Sequence, residues 1–96
     1  MARIEKRLWP DGFKRVLEGQ KTYELRLGDF DIEEGDTLVL KEWDPKTSSH
    51  TGRELERRVG HVGRWKEEDL EKYWTSDQIR DHGLQAISLL PADQKI

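Results

Sequence analysis

Gly19-Gln20-Lys21-Thr22-Tyr23-Glu24-Leu25-Arg26-Leu27 is the stretch of sequence from which the fold of this chain can be worked out. Gly19 is expected to end a preceding helix, because glycine readily adopts the positive φ of a helix C-terminus. From Lys21 onward polar and apolar side chains alternate, which predicts a strand over 21–27. The apolar set is expected to face the core and comprises Tyr23, Leu25 and Leu27. The polar set then faces solvent or a cleft and comprises Thr22, Glu24 and Arg26.

A strand followed by a short helix is predicted upstream of this stretch, over residues 3–9 and 10–18. Pro10 suits the first turn of a helix, where its missing N–H costs no hydrogen bond. One apolar stripe at i, i+3, i+4 spacing is formed by Phe13, Val16 and Leu17. Such a short helix is not stable alone, so this stripe must pack on a sheet.

Three more strands and two more helical segments are predicted downstream. The strands cover 37–43, 53–65 and 84–90, and the helical segments cover 67–74 and 76–82. Gly60 and Gly63 interrupt the second of these strands, as glycines do at bulges and barrel corners. The order β-α-β-β-β-α-β predicts one α+β domain over residues 1–96, a small and mostly antiparallel β-barrel with two to three short helices.

The composition excludes several classes of protein. The 96 residues include no cysteine, so disulfides and thiolate-ligated zinc sites are excluded. The three histidines lack metal-ligand spacing and no glycine-rich phosphate loop is present, so neither a metal nor a cofactor is predicted. The sequence has no apolar run of membrane-helix length, and its first residues lack a signal-peptide pattern. We therefore expect a cytoplasmic protein without membrane contact, and a monomer.

Charge is unevenly distributed along the chain, although the net charge is only −3. Residues 1–26 and 46–66 carry an excess of basic side chains, whereas residues 27–45 and 67–96 carry an excess of acidic ones. If the two basic blocks lie together, one face is positive on a protein that is acidic overall. A phosphate ligand would respond to that face, because salt screens charges farther than about 8–10 Å away. The alternative is a mottled, solvated surface with no ligand preference.

Residues 19–26 match the pattern G-x-K-x-x-E-x-R, which resembles the signature of ASCH domains. The surrounding sequence resembles a narrower group, the DUF3850 family of small bacterial and phage proteins. The matching pieces are Trp9-Pro10 with Phe13, Asp29-Phe30, Gly35-Asp36 with Leu38 and Leu40, Glu42 with Asp44, and Thr51-Gly52-Arg53. The resemblance covers residues 4–62 and the final strand. The first strand lacks the histidine usual in that group, and residues 66–82 look like an insertion.

This resemblance implies a PUA-like barrel that binds RNA or a nucleotide-like ligand in a cleft after the first helix. Lys21 and Arg26 would contact phosphate, since an ammonium and a guanidinium supply charge and a bidentate fork. Glu24 would accept hydrogen bonds from a base or a 2′-OH, or would hold the two cations in place. The alternative is a surface ion-pair triad that binds nothing.

Further candidates for this binding site lie outside the motif. The basic surface could be extended by Lys6, Arg7, Arg53, Arg57 and Arg58. Four tryptophans are many for this length, and most are expected to be buried or half-buried in the core. Trp9, beside Pro10, is the candidate for an exposed base-stacking platform.

Two other functions stay open. Some ASCH relatives resemble ribonucleases and others resemble amidohydrolases acting on acylated cytidines, so a hydrolase with Lys21, Thr22 and Glu24 as catalytic residues is the second hypothesis. The amidohydrolase pattern has a threonine three residues after the lysine, whereas Glu24 occupies that position here. A protein-binding module of phage or plasmid type is the third hypothesis, with the acidic stretches 27–45 and 67–82 as its contact surface.

Overall fold

The computed structural model describes residues 1–92, which form three strands and three helices. The strands are β1 (Arg3–Leu8), β2 (Thr37–Asp44) and β3 (Ser49–Arg58), and the helices are α1 (Pro10–Leu17), α2 (Glu67–Leu70) and α3 (Ser76–His82). As predicted, α1 begins at Pro10, and Gly19 follows its end with a φ of 79°. The glycine turns the chain away from the helix axis and into the segment that contains the motif.

The three strands form one mixed sheet in the order β1-β2-β3. β1 runs parallel to β2, with Arg3 opposite Thr37. β3 runs antiparallel to β2 as the second arm of a hairpin, and their register is irregular between Lys41 and Trp43. Parallel pairing requires the chain to return to the starting end of the sheet between the two strands. α1 and the segment 18–36 make that return.

The core lies between α1 and one face of the sheet. It is formed by Phe13, Val16, Leu38, Leu40 and Leu55. Phe13 and Leu40 are each only 1% exposed. The apolar stripe predicted for the helix is thus confirmed for Phe13 and Val16, whereas Leu17 lies at its margin and is half exposed.

The opposite face of the sheet is charged, and Val39 of β2 is nevertheless completely buried there. In the strand register Val39 lies between Glu5 of β1 and Glu56 of β3. Arg3 pairs with Glu56, and Lys41 pairs with Glu5 at 2.9 Å. Long charged side chains cover apolar surface with their stems while their charged groups stay in water. β2 is therefore covered on both faces, by the core on one side and by ion pairs rather than a barrel interior on the other.

The predicted barrel is not present in residues 1–92, because the sheet stops at three strands and does not close. The segments 21–27 and 84–90, both predicted as strands, are not part of the sheet. β3 ends at Arg58, whereas the predicted strand continued to residue 65. One of the two strand pairings is parallel, so the sheet is mixed rather than mostly antiparallel. The coarser prediction of a small α+β fold with short helices is confirmed.

The segment 21–27 also faces the opposite way from the prediction. Leu25 and Leu27 are 81% and 80% exposed, whereas the side chains of Glu24 and Arg26 are only 15% and 28% exposed. An alternating pattern has the same period in either orientation, so it does not reveal which set faces inward. Here Lys21 and Arg26 both donate hydrogen bonds to Glu24, and this polar cluster faces inward.

The helices α2 and α3 bury none of their residues. α2 ends at Leu70, earlier than the predicted end at residue 74. α3 begins with a capping box in which Thr75 and Gln78 exchange side-chain-to-backbone hydrogen bonds. Within residues 1–92, no helix has the length and apolar character needed to cross a membrane.

Three of the four tryptophans are exposed, namely Trp9, Trp65 and Trp74. The prediction that most of them are buried or half-buried in the core is therefore wrong, while the prediction that Trp9 is exposed is confirmed. Trp43 is half-buried on the charged face of the sheet. The Arg7 guanidinium lies 4.3 Å from its ring centroid, and the His50 ring meets it edge-on at 5.0 Å.

Candidate functional site

An open cleft of about 450 Å³ lies beside the C-terminal half of α1. One wall is the segment 19–32 and the other is the segment 57–64, which follows β3. The floor is apolar and includes Val16, Ile32, Leu38, Leu40 and Val59. Charged side chains line its walls, namely Lys21, Glu24, Arg26, Arg57, Arg58 and Arg64. The cleft thus combines an apolar floor with walls that carry five cations and one carboxylate.

The first wall is held together by the Glu24 carboxylate. Its Oε1 accepts a hydrogen bond from Lys21 Nζ at 3.1 Å, and its Oε2 accepts one from Arg26 Nε at 2.9 Å. Arg26 Nη2 also donates to the backbone carbonyl of Arg7 at 2.7 Å, which ties the wall to β1. The Lys21 side chain is 22% exposed, so these groups are sheltered but open to a ligand. The motif residues predicted to act together are therefore brought together by this hydrogen bonding.

The path of the chain after α1 explains why the motif lies at the cleft. The backbone N–H groups of Gln20 and Lys21 both donate to the Arg15 carbonyl, at 2.9 and 3.0 Å. The N–H of Gly19 donates to the Val16 carbonyl. These bonds wrap the chain around the end of the helix, satisfy otherwise unpaired carbonyls and direct the following residues across the cleft.

The second wall carries arginines that are fixed to neighbouring backbone. Arg57 Nη2 donates to the Val16 carbonyl at 3.3 Å, and Arg64 Nη2 donates to the Ile32 carbonyl. Arg58 and His61 also line the cleft. Arg57 and Arg58 are among the residues that the sequence suggests as extensions of the basic surface, whereas Arg64 is not predicted from the sequence. The signal that points to it is the basic block 46–66, which supplies this wall.

Arg53 lies outside the cleft, in contrast to its predicted place in the binding site. Its Nε and Nη2 donate to the two carboxylate oxygens of Glu42 at 2.9 and 2.8 Å, and Thr51 Oγ1 donates to Glu42 at 2.6 Å. The Arg53 guanidinium also lies 4.9 Å from the Phe13 ring centroid. These hydrogen bonds, with that from Arg53 the largest cause, hold the pKa of Glu42 below its usual value. Arg53 is therefore a structural partner of a buried carboxylate.

The remaining sequence candidates are divided between other surfaces. Arg7 stacks on Trp43 on the charged face of the sheet, and only its backbone carbonyl meets the cleft wall through Arg26. Trp9 is 62% exposed at the start of α1 and does not line the cleft. Lys6 lies in a smaller hollow next to the cleft, with its Nζ 3.7 Å from the Phe30 ring centroid.

Thr22, the other candidate catalytic residue, lines the cleft beside Lys21 and Glu24. Both carboxylate oxygens of Glu24 accept hydrogen bonds from cationic side chains, an arrangement that holds cations in place rather than freeing a general base. In the described part of the chain, no cluster of three or more His, Cys, Asp and Glu side chains could hold a metal ion.

Comparison of the sequence with known protein families identifies the family of this chain. Residues 5–75 match the family described as "Domain of unknown function (DUF3850)". The chain belongs to the DUF3850 family. The match includes α1 and both walls of the cleft, and it continues through α2, part of the stretch that the sequence suggested was an insertion.

A relative of this chain is found in Escherichia phage P2, under the name "Uncharacterized 12.9 kDa protein in GpA 3'region". The two proteins are 37% identical over 97 residues, covering 100% of this chain and 81% of the relative. No solved structure gives a significant match to the chain.

Proposed function

We propose that this DUF3850 protein is an RNA- or nucleotide-binding module of the PUA-like ASCH type, with the cleft as its binding site. The observation that carries the proposal is the cleft itself, in which an apolar floor is flanked by cations on two separate segments. A nucleotide has the complementary composition, because a flat base is joined to an anionic phosphate. Ligand sites of this kind commonly occupy about 300–1,000 Å³, a range that includes this cleft.

Each part of the motif has a distinct role in this proposal. Arg26 offers a planar fork to phosphate oxygens, and Lys21 offers a compact positive charge. Glu24 is a positioning residue that holds both cations by hydrogen bonds of 3.1 and 2.9 Å. The apolar floor shelters these groups from water, which strengthens their interaction with an anion.

The acidic net charge is compatible with an anionic ligand. The excess of negative charge comes from residues 27–45 and 67–96, whereas the cations of the cleft walls come from the two basic blocks. Charges more than about one Debye length away, roughly 8–10 Å, are largely screened by salt. The side chains that line the cleft itself carry five cations and one carboxylate, so a phosphate there would meet a positive balance at short range.

The ASCH part of the proposal depends on the motif at residues 19–26 and on the position of the cleft directly after the first helix. Both features are those that the resemblance to ASCH domains implies.

A titration with short single-stranded RNA at low and high salt, followed by tryptophan fluorescence, tests this function. Lys21→Ala and Arg26→Ala should each weaken binding and lower the slope of log affinity against log salt by about one unit. Lys46→Ala and Arg80→Ala are matched controls, because each removes one cation that does not line the cleft. Cleft variants that bind like these controls would refute the site.

The same mixtures should be analysed for products, with acylcytidines as additional ligands. Intact RNA and nucleosides are expected alongside salt-sensitive binding. A cleaved or deacylated product would contradict a binding-only role and would favour a hydrolase that uses Lys21, Thr22 and Glu24. Absence of both binding and product would contradict the proposal and would favour the protein-binding hypothesis.

A further inference from the structure

A second hollow of about 310 Å³ adjoins the cleft. Its lining residues are Lys6, Leu25, Arg26, Leu27, Asp29 and Phe30. Three of these, Arg26, Leu27 and Phe30, also line the cleft. The two spaces are therefore neighbours that share a wall, and a ligand long enough to cross that wall could occupy both.

The second hollow has the side chains that a nucleic-acid base and its phosphate require. The Phe30 ring is half-buried, and Lys6 Nζ lies 3.7 Å from its centroid. Leu25 and Leu27 expose about four-fifths of their surface although they are large and apolar. A base that stacks on the Phe30 ring would take the place of Lys6 Nζ over its face, and the exposed leucines beside the ring extend the apolar surface. The hollow keeps a positive balance, because Lys6 and Arg26 outnumber the Asp29 carboxylate.

Arg26 is held at the shared wall between the two spaces. Its Nε donates to Glu24, which lines the cleft, and its Nη2 donates to the Arg7 carbonyl on β1. A guanidinium has five N–H donors, so these two bonds fix its orientation and leave donors for a ligand. A group that crosses from one hollow to the other would pass this guanidinium.

We propose that the two hollows bind successive nucleotides of one strand, and that Arg26 contacts the phosphodiester group between them. The ligand is accordingly a dinucleotide or a longer single strand rather than a mononucleotide. This inference depends on the proposed nucleotide-binding function of the cleft. It adds a second subsite, with Lys6 and Phe30 as its main contacts.

The affinities of a mononucleotide and a dinucleotide for the whole protein test this subsite. The dinucleotide should bind about five- to 150-fold more tightly, since stacking of one base contributes about 1–3 kcal/mol. Lys6→Ala should weaken the dinucleotide several-fold and leave the mononucleotide unchanged. Asp29→Asn should tighten dinucleotide binding alone, because it removes a carboxylate from the second hollow. Lys46→Ala is the control.

Circular dichroism should show that the Lys6 variant is folded, since Lys6 is half-buried in β1. The exposed position of Asp29 keeps the test independent of that variant. Equal affinity for the two ligands, with both variants like wild type, would overturn the second subsite and leave the proposed function intact. If neither ligand bound, the proposed function itself would fail, and the second subsite with it.

Discussion

The carboxylates of Glu42 and Glu24 lie in different surroundings in this protein, one buried and one at an open cleft. Glu42 is 4% exposed under the β2–β3 hairpin, where Thr51 and Arg53 donate to it. It links both arms of the hairpin and stabilises the fold. Glu24 holds Lys21 and Arg26 at the wall of an open cleft, where the proposed ligand would meet their remaining donors. Glu42 is buried and fully hydrogen-bonded, which indicates a structural role, whereas Glu24 lies sheltered between two cations and is the positioning residue of the proposed binding site.

The stability of the protein should depend on Glu42 at acid pH. Its pKa lies below the usual value of 4.5 because Arg53 and then Thr51 donate to the carboxylate. A pKa that is lower in the folded than in the unfolded chain contributes stability above the usual value. That contribution is lost as the pH falls from about 4.5 through the folded value. Urea unfolding between neutral pH and pH 3 should therefore show a steep decline in the free energy of unfolding.

The Glu42→Gln variant should show a shallower decline over the same pH range, because the titrating group is absent. Asp36 is expected to supply part of the remaining slope, since backbone N–H groups of Ala2 and Glu33 lower its pKa. Glu5 and Glu56 contribute too, because hydrogen bonds from Lys41 and Arg3 lower the pKa values of these two exposed carboxylates. Adding Asp36→Asn should flatten the curve further. If Glu42→Gln declined as steeply as wild type, the stabilising role of the Glu42 hydrogen bonds would be contradicted.

At the scale of elements, the sequence correctly predicts the segments whose pattern depends only on residues close by in the chain. The strand β2 and most of the apolar stripe of α1 are correctly predicted, because strand run and helix period are local properties. The orientation of 21–27 and the absence of a strand there were not predictable. They depend on hydrogen bonds between Glu24 and two cations and on which surfaces the sheet offers.

The candidate site was predictable in part for the same reason. The motif predicts Lys21, Glu24 and Arg26 as site residues, and in the structure the three lie together at one cleft wall. Arg64 lines the cleft but was not predicted, whereas Arg53 was predicted in the site but lies outside the cleft. The distribution of charge along a chain does not reveal whether a guanidinium contacts a buried carboxylate or lines an open cleft. Arg53 is adjacent to Glu42 only through the strand pairing of β2 with β3.

The orientation of the 21–27 segment predicts how substitutions there affect stability. Leu25→Ser should change the free energy of unfolding by less than about 0.5 kcal/mol, because the side chain is 81% exposed. Leu40→Ala should cost about 2–5 kcal/mol, because Leu40 is 1% exposed in the core. Denaturant titrations measure both. A loss at Leu25 comparable to that at Leu40 would show that this leucine is a core residue.

Over the whole molecule, packing is concentrated in one part of the chain. The buried apolar residues of the core lie between Phe13 and Leu55, whereas α2 and α3 bury none of their residues. Helices as short as these are not stable without packing. The stability of the described structure is therefore unevenly distributed, and the core elements also supply the floor of the cleft.

Amide hydrogen exchange should reveal this uneven distribution. Peptides from α1, β2 and β3 should be strongly protected, and those covering 67–82 should exchange much faster, because local opening there exposes little buried surface. Mass spectrometry of peptic peptides at neutral pH gives the comparison within one sample. Equal protection of both groups would show that α2 and α3 are packed as firmly as the sheet.

The parallel pairing of β1 with β2 implies an order of assembly. β2 and β3 meet across a tight hairpin, with Asp44 opposite Ser49, so their pairing closes a short loop. β1 pairs with residues much farther along the chain, Arg3 with Thr37, and the entropy cost of loop closure rises with length. The hairpin is therefore expected to form first, and β1 to join later. The segment 18–36 is the loop closed at that late step, so a ligand in the cleft should mainly slow unfolding rather than speed folding.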